Sequence, residues 1–219
     1  MNEISILDII SPIMVGPSSS HTAGAVRIGL LAKNIYEKEI KKVKIILYNS
    51  YAKTGPGHGT DKGIIAGLLG YSVDNTIIKD IFKTPEASKL EYSFEFEESF
   101  THHPNSVEFI FDDMTISAKS IGGGEVEVDK INNFSLSING KYNVLVLVVK
   151  DEPSILSKIT NIIQKNNINI ASISCDRYAR GKNTSCCIAL DGNIQKTAIE
   201  EIKKSVNPCL IRYVQKLEN

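Results

Sequence analysis

Cysteine is scarce in this chain and confined to its end. The 219 residues hold four, Cys175, Cys186, Cys187 and Cys209, all in the last quarter. None has C-x-x-C spacing, and the neighbours Cys186 and Cys187 would point to opposite faces of a strand. A metal or cluster site made by this chain alone is therefore not expected, and buried small hydrophobes are the expected role. Surplus charge is lacking too. Lys+Arg and Asp+Glu are both 25, which gives no support for nucleic-acid binding. No stretch approaches the ~18 apolar residues of a membrane-spanning helix, and no basic segment leads into an apolar run at the N-terminus. A cytoplasmic protein without membrane contact is the expectation. Internal repeats and low-complexity tracts are also missing. What is present is a 42% hydrophobic composition, enough for a real core, over a length that fits one large domain or two modest ones.

The last eighty or so residues are the easier to parse. "NVLVLVVK" (143–150) is a continuous β-branched run, the mark of a covered strand. "DEPSILSKITNIIQKNN" follows, with Ile155, Leu156, Ile159, Ile162 and Ile163 on one helical stripe and Ser154 or Asp151 placed to cap it. "INIASISCDRYAR" alternates as a strand, "GKN" turns, and "TSCCIAL" returns. A second helical pattern with Ala198, Ile199, Ile202 and Val206 leads to a closing strand, "CLIRYVQ". The order β-α-β-β-α-β is the ferredoxin-like plan. On "VVKDEPSILSKITNIIQKNNINI" the stretch resembles an ACT domain, a small-molecule-sensing module of amino-acid metabolism. The resemblance implies a candidate effector site at Asp151, Ser154 and Ile155. The family commonly has Gly where this chain has Ser154, and a side chain there narrows the approach to the backbone. A small-molecule effector site and a surface pairing sheets between subunits both stay open.

Residues 1–130 read as an α+β unit with its helices gathered early. "AGAVRIGLLAKNIYEK" and "TDKGIIAGLLG" are helices around a strand, "KVKIILYNS", and four short strands follow: "EYSFEFE", "SVEFIF", "MTISAKS" and "EVEVDKI". Thr60 and Asp61 are placed as the N-cap of the second helix. Residues 131–142 form the expected linker to the domain at 143–219, with "NNFSLSINGK" (132–141) read as a linker strand or turn.

Four stretches of the first domain carry chemistry or tight turns. "GPSSSHTAG" sets Ser18, Ser19, Ser20, His21 and Thr22 at a helix start, where unpaired N–H groups attract anions. Three consecutive serines exceed what capping needs, so a binding site is favoured. "KTGPGHGTDKG" reads as a loop in which Gly57 and Gly59 flank His58 and let a ligand approach. Imidazole titrates near neutral pH, which makes His58 a candidate acid or base. Neither stretch has the spacing of a phosphate P-loop. "THHPNSVEF", with His102 and His103, and "KSIGGGEV" read singly as turns.

"GPSSSHTAG", "GHGTD", "HPNSVEF" and "SIGGG", in this order and before an ACT-like domain, closely resemble the beta chain of the iron–sulfur-dependent L-serine dehydratases. The resemblance covers essentially the whole chain. The first domain is also similar to the allosteric substrate-binding domain of some phosphoglycerate dehydrogenases. The implied reaction turns L-serine into pyruvate and ammonia by α-proton abstraction and Lewis-acid-assisted dehydration. The implied cofactor is a [4Fe–4S] cluster held by three cysteines, and since this chain has no such triad, the ligands fall to a separate alpha chain. Ser18, Ser19, Ser20, Thr22, Gly57 and Gly59 would hold the substrate L-serine, His58 would be the α-proton base, and His21 would shape the pocket. The resemblance implies an α–β pair that assembles into a higher oligomer. A pyridoxal-phosphate dehydratase using Lys53 or Lys62 is a poorer match, because the chain is short for that fold and lacks its phosphate-binding pattern. The alternative is a non-catalytic regulatory subunit that senses amino acids.

Overall fold

The computed structural model describes residues 14–177 and 181–218, and the chain folds as two units that divide between Asn132 and Asn133. Mixed α and β elements build both. The first unit contains β1 (Lys42–Asn49), β2 (Glu91–Glu97), β3 (Asn105–Ile110), β4 (Thr115–Gly122) and β5 (Glu125–Ile131). Its sheet runs β2-β1-β3-β4-β5, with β2 parallel to β1 and the other pairs antiparallel. Alternation sorts the faces: Ile45, Leu47, Val107, Phe109, Ile116 and Val128 are buried. On the opposite face, Lys44–Glu95 (2.8 Å) and Lys119–Glu127 (3.1 Å) are partly exposed ion pairs, worth little to stability.

Helices α1 (Gly24–Tyr36), α2 (Ser50–His58), α3 (Thr60–Leu69) and the short α4 (Pro85–Lys89) complete the unit. α1 and α3 cross almost backbone to backbone. A Cβ on Gly29 would lie 2.6 Å from the Ile64 carbonyl oxygen, and one on Gly67 would lie 2.8 Å from Gly29 Cα. Only hydrogen side chains permit that approach.

Two local expectations fail here. Residues 50–58 are helix α2 rather than part of a loop, although Pro56 lies inside it. Thr60 and Asp61 do not cap α3. Gly59 occupies the cap position at φ 74°, joining α2 to α3 in a left-handed turn that glycine adopts without cost. Asn49, which opens α2, is more unusual, with φ 54° and ψ −113°. That conformation belongs to the glycine-dominated start of a type II′ turn, and a side chain there costs on the order of 1–3 kcal/mol.

The second unit starts with β6 (Phe134–Ile138), the strand alternative for the linker segment; its Ser135 carbonyl accepts from Ser185 Oγ at 2.7 Å. β7 (Asn143–Lys150), α5 (Ile155–Lys165), β8 (Ile170–Arg177), β9 (Asn183–Leu190), α6 (Lys196–Val206) and β10 (Leu210–Val214) follow. The sheet order is β10-β7-β9-β8, antiparallel throughout. Leu145, Leu147, Ile188 and Leu190 pack against Ile159, Ile163 and Ile202 of the two helices.

Three details differ from expectation. Leu156 turns outward at 43% exposure, because it sits off the stripe formed by Ile155, Ile159, Ile162 and Ile163. Neither Ser154 nor Asp151 caps α5: Ser154 holds the cap position at φ 68° without a side-chain bond, and Asp151 pairs with Arg177 instead. Cys186 and Cys187 are buried as expected, but Cys175 and Cys209 are exposed. Residues 178–180, part of the strand expected before Gly181, lie outside the described residues.

Candidate active site

Ser19 and Ser20 begin a short π-helical turn, Ser19–Ala23, that runs directly into α1. Ser18 caps it: its Oγ accepts the His21 N–H at 3.1 Å, and its carbonyl accepts the Thr22 N–H at 2.8 Å. The turn brings His21 to the face of α2. There His21 Nε2 lies 3.1 Å from Thr54 Oγ1 and 3.3 Å from Ser50 Oγ. Thr54 donates its one hydroxyl proton to the Ser50 carbonyl at 2.9 Å, so toward His21 its oxygen accepts, and Nε2 carries the proton.

His58 stands one turn further along α2, with ring centroids 5.2 Å from His21. Its Nδ1 lies 2.8 Å from the Thr54 carbonyl oxygen. A carbonyl only accepts, so Nδ1 carries the hydrogen and the lone pair of neutral His58 is on Nε2. The side chain is exposed, and Thr22 Oγ1 donates to the His58 carbonyl at 2.8 Å, tying the end of α2 to the serine turn. Partial burial, with His58 nearby, lowers the His21 pKa below its ordinary value. The pair thus combines a half-buried imidazole held neutral with an exposed one that has a basic nitrogen available.

Sequence reasoning missed Ser50, Tyr51 and Thr54. Ser50, Thr54 and His58 are spaced four apart, one face of a helix, but the glycines and Pro56 hid that helix. Tyr51 is fully buried, donates to the Ser20 carbonyl at 2.8 Å, and has its ring centroid 5.3 Å from that of His21. Burial pushes its phenol pKa upward. The Thr60 and Ser120 hydroxyl oxygens are buried without a hydrogen-bond partner of good geometry. Of the expected binding glycines, Gly59 is the hinge between α2 and α3, while a Cβ on Gly57 would meet nothing within 4 Å. Gly57 therefore has no packing reason to be glycine. His102 and His103 stand apart from this cluster, His102 stacking on Tyr48 at 3.9 Å between centroids.

In the second unit, Asp151, Ser154 and Ile155 line a cavity of about 470 Å³ with Cys175, Arg177 and Thr184. Asp151 is bound by Arg177 (3.1 Å) and by the Gly181 N–H (3.1 Å). Thr184 Oγ1 is buried there without a partner.

The residues of this chain do not fit a cysteine-held iron–sulfur cluster. The first unit has no cysteine, and Cys186 and Cys187 are buried in adjacent positions of β9. Among the described residues, no three His, Cys, Asp or Glu side chains gather to hold a metal ion, and no helix is long and apolar enough to cross a membrane.

The serine dehydratase beta chain family matches residues 5–130. The chain is 34% identical over 207 residues to a probable L-serine dehydratase beta chain of Bacillus subtilis, covering 93% of this chain and 94% of that one. It is 31% identical over 212 residues to the L-serine dehydratase beta chain of Peptoniphilus asaccharolyticus, covering 94% of each. L-serine dehydratase 2 of Escherichia coli is 42% identical over 84 residues, 36% of this chain and 18% of that protein.

Proposed function

The chain belongs to the serine dehydratase beta chain family, and from that membership we propose that it is the beta subunit of a two-chain L-serine ammonia-lyase, converting L-serine to pyruvate and ammonia. The carrying observation is the His58 Nδ1–H bond to the Thr54 carbonyl (2.8 Å), which orients the ring and leaves Nε2 as the basic nitrogen. His58 takes the α-proton of serine at Nε2. The hydroxyls of Ser18, Ser19 and Ser20, at the positive end of α1, receive the substrate carboxylate, while Thr22, buried and donating to the His58 carbonyl, braces the turn rather than touching substrate. His21, kept neutral, shapes the pocket wall.

The [4Fe–4S] cluster of this reading belongs to the alpha chain, where it supplies a Lewis-acidic iron, since the cysteines of this chain do not fit as its ligands. The β-α-β-β-α-β order from β7 to β10, with the cavity at Asp151, Ser154 and Ile155, supports an ACT domain that takes a small-molecule effector. In this reading the protein is cytoplasmic and works in a higher oligomer of α–β pairs.

The test is co-expression with the alpha chain and an anaerobic assay for serine-dependent pyruvate. His58→Ala should lower kcat about 10²- to 10⁴-fold, the usual contribution of a general base. If His58→Ala keeps turnover while binding serine weakly, the base assignment is wrong. Full activity from the alpha chain alone would leave this chain a regulatory role only.

A further inference from the structure

α2 carries Ser50, Thr54 and His58, yet its own sequence does little to hold it. It is nine residues long, contains Pro56 between Gly55 and Gly57, has no acidic residue in its first turn and no side-chain cap. Isolated helices shorter than about 12 residues are marginal in water even without such breakers. Its position is therefore imposed from outside, and the grip at its start is specific. The Asn49 amide is fully used: Nδ2 donates to the Ser99 carbonyl (2.9 Å) and the His102 carbonyl (3.0 Å), and Oδ1 accepts the Ser99 N–H (2.8 Å). The flanking residues hold the same loop. Tyr48 stacks on the His102 ring, and the Tyr51 N–H donates to the Pro104 carbonyl at 3.2 Å.

The backbone of Asn49 supplies a second, independent observation. Of the non-glycine residues with positive φ, Glu37, Ser154 and Asn207 have ψ of −11°, 1° and 63°, in or near the left-handed helical region. Asn49, at φ 54° and ψ −113°, lies well outside it. Such outliers persist where the surroundings over-determine them and cluster at functional sites. A glycine would take this backbone without strain, but it would give up all three amide bonds.

We propose that Asn49 is a positioning residue: by clamping the 99–102 loop through a strained β1–α2 junction, it sets where α2 presents Ser50 and Thr54 to His21 and aims His58. The "HHPN" stretch, which by sequence reads as a turn, is then the anchor of the active-site helix. The role in catalysis rests on the serine dehydratase reading; the clamp on the imidazole pair does not.

Asn49→Gly and Asn49→Ala separate clamp from strain, because glycine relieves the backbone while both delete the amide. Two measurements keep the questions distinct. The first follows the four histidines of the full-length chain by NMR through a pH titration. Both variants should raise the His21 titration midpoint toward the ordinary imidazole value, because Ser50 and Thr54 no longer hold the ring beside His58. The second is serine turnover with the alpha chain, where kcat should fall about 10- to 100-fold, the scale of an ångström-sized misplacement, with a smaller change in KM. Asn49→Gly should do this while unfolding at the same or higher denaturant concentration than the parent, which a merely structural role would not produce. An unmoved His21 midpoint, or a moved midpoint with full kcat in Asn49→Gly, overturns the proposal. A moved midpoint in a protein whose parent complex has no serine activity sustains the clamp and sinks the functional reading instead.

Discussion

His21 shows how a single side chain records the chemistry of its surroundings. It is half buried, touches two hydroxyls, and has a second imidazole facing it. Burial and His58 both work against its cation, so its folded pKa lies below the unfolded value of about 6.5. The unfolded chain therefore takes up the proton first as pH falls. The stability from a neutral His21 is fully present above the unfolded pKa, and it is lost as pH falls from there toward the lower folded pKa. Urea unfolding followed from pH 7.5 to 5.5 should show a falling midpoint for the first unit. His21→Gln should make that fall shallower, because glutamine keeps a hydrogen-bonding group near Ser50 and Thr54 but does not titrate. An equal fall in both proteins would mean that His21 is as easily protonated folded as unfolded. That His21 belongs to a site was legible in "PSSSHTAG". That Thr54 and Ser50 hold its ring was not, since those contacts join residues some thirty apart and exist only after α2 has formed.

Elements with strong periodicity could be read from the sequence: the strands of both units, α1, α3, α5 and α6 are where alternation or a 3.6-residue stripe puts them. α2 was hidden because glycine and proline are local breakers, whereas what makes it a helix is tertiary: buried Tyr51, the Thr22 tie to His58 and the Asn49 clamp. Ser154 and Leu156 failed for the opposite reason, since pattern alone does not report which side of a helix start the chain enters from. The α1–α3 crossing is the element-scale feature on which the site depends, because it sets the serine turn beside the start of α3. Gly67→Ala is the sharpest probe of it. The added methyl would run into the Val26 carbonyl oxygen and lie 2.8 Å from Gly29 Cα, contacts with backbone that has no rotamer to yield. The expected cost is about 3 kcal/mol, at the upper end for overpacking, read as a lowered denaturation midpoint of the first unit with weakened serine turnover. A variant as stable as the parent would show that the two helices can slide apart at no cost.

At the scale of the whole molecule, the lateness of the cysteines had the widest consequence. In the proposed reading the candidate acid–base and anion-binding residues lie in a unit without cysteine, so the cluster is assigned to the alpha chain. The division of labour between two polypeptides is thus a claim about where iron is bound, and it can be tested without measuring turnover. Cys175 and Cys209 are the exposed thiols, able to reach a partner, while Cys186 and Cys187 are buried. Changing Cys175 and Cys209 to Ser, and Cys186 and Cys187 to Ala, should leave the iron and acid-labile sulfide of the anaerobically purified α–β complex at the parent's level. The beta chain purified alone should carry neither. Loss of iron from the variant complex, with the two chains still associated on a sizing column, would place a ligand on this chain and move the cluster to a shared boundary. Retention with full iron leaves the cluster ligands on the alpha chain, as proposed.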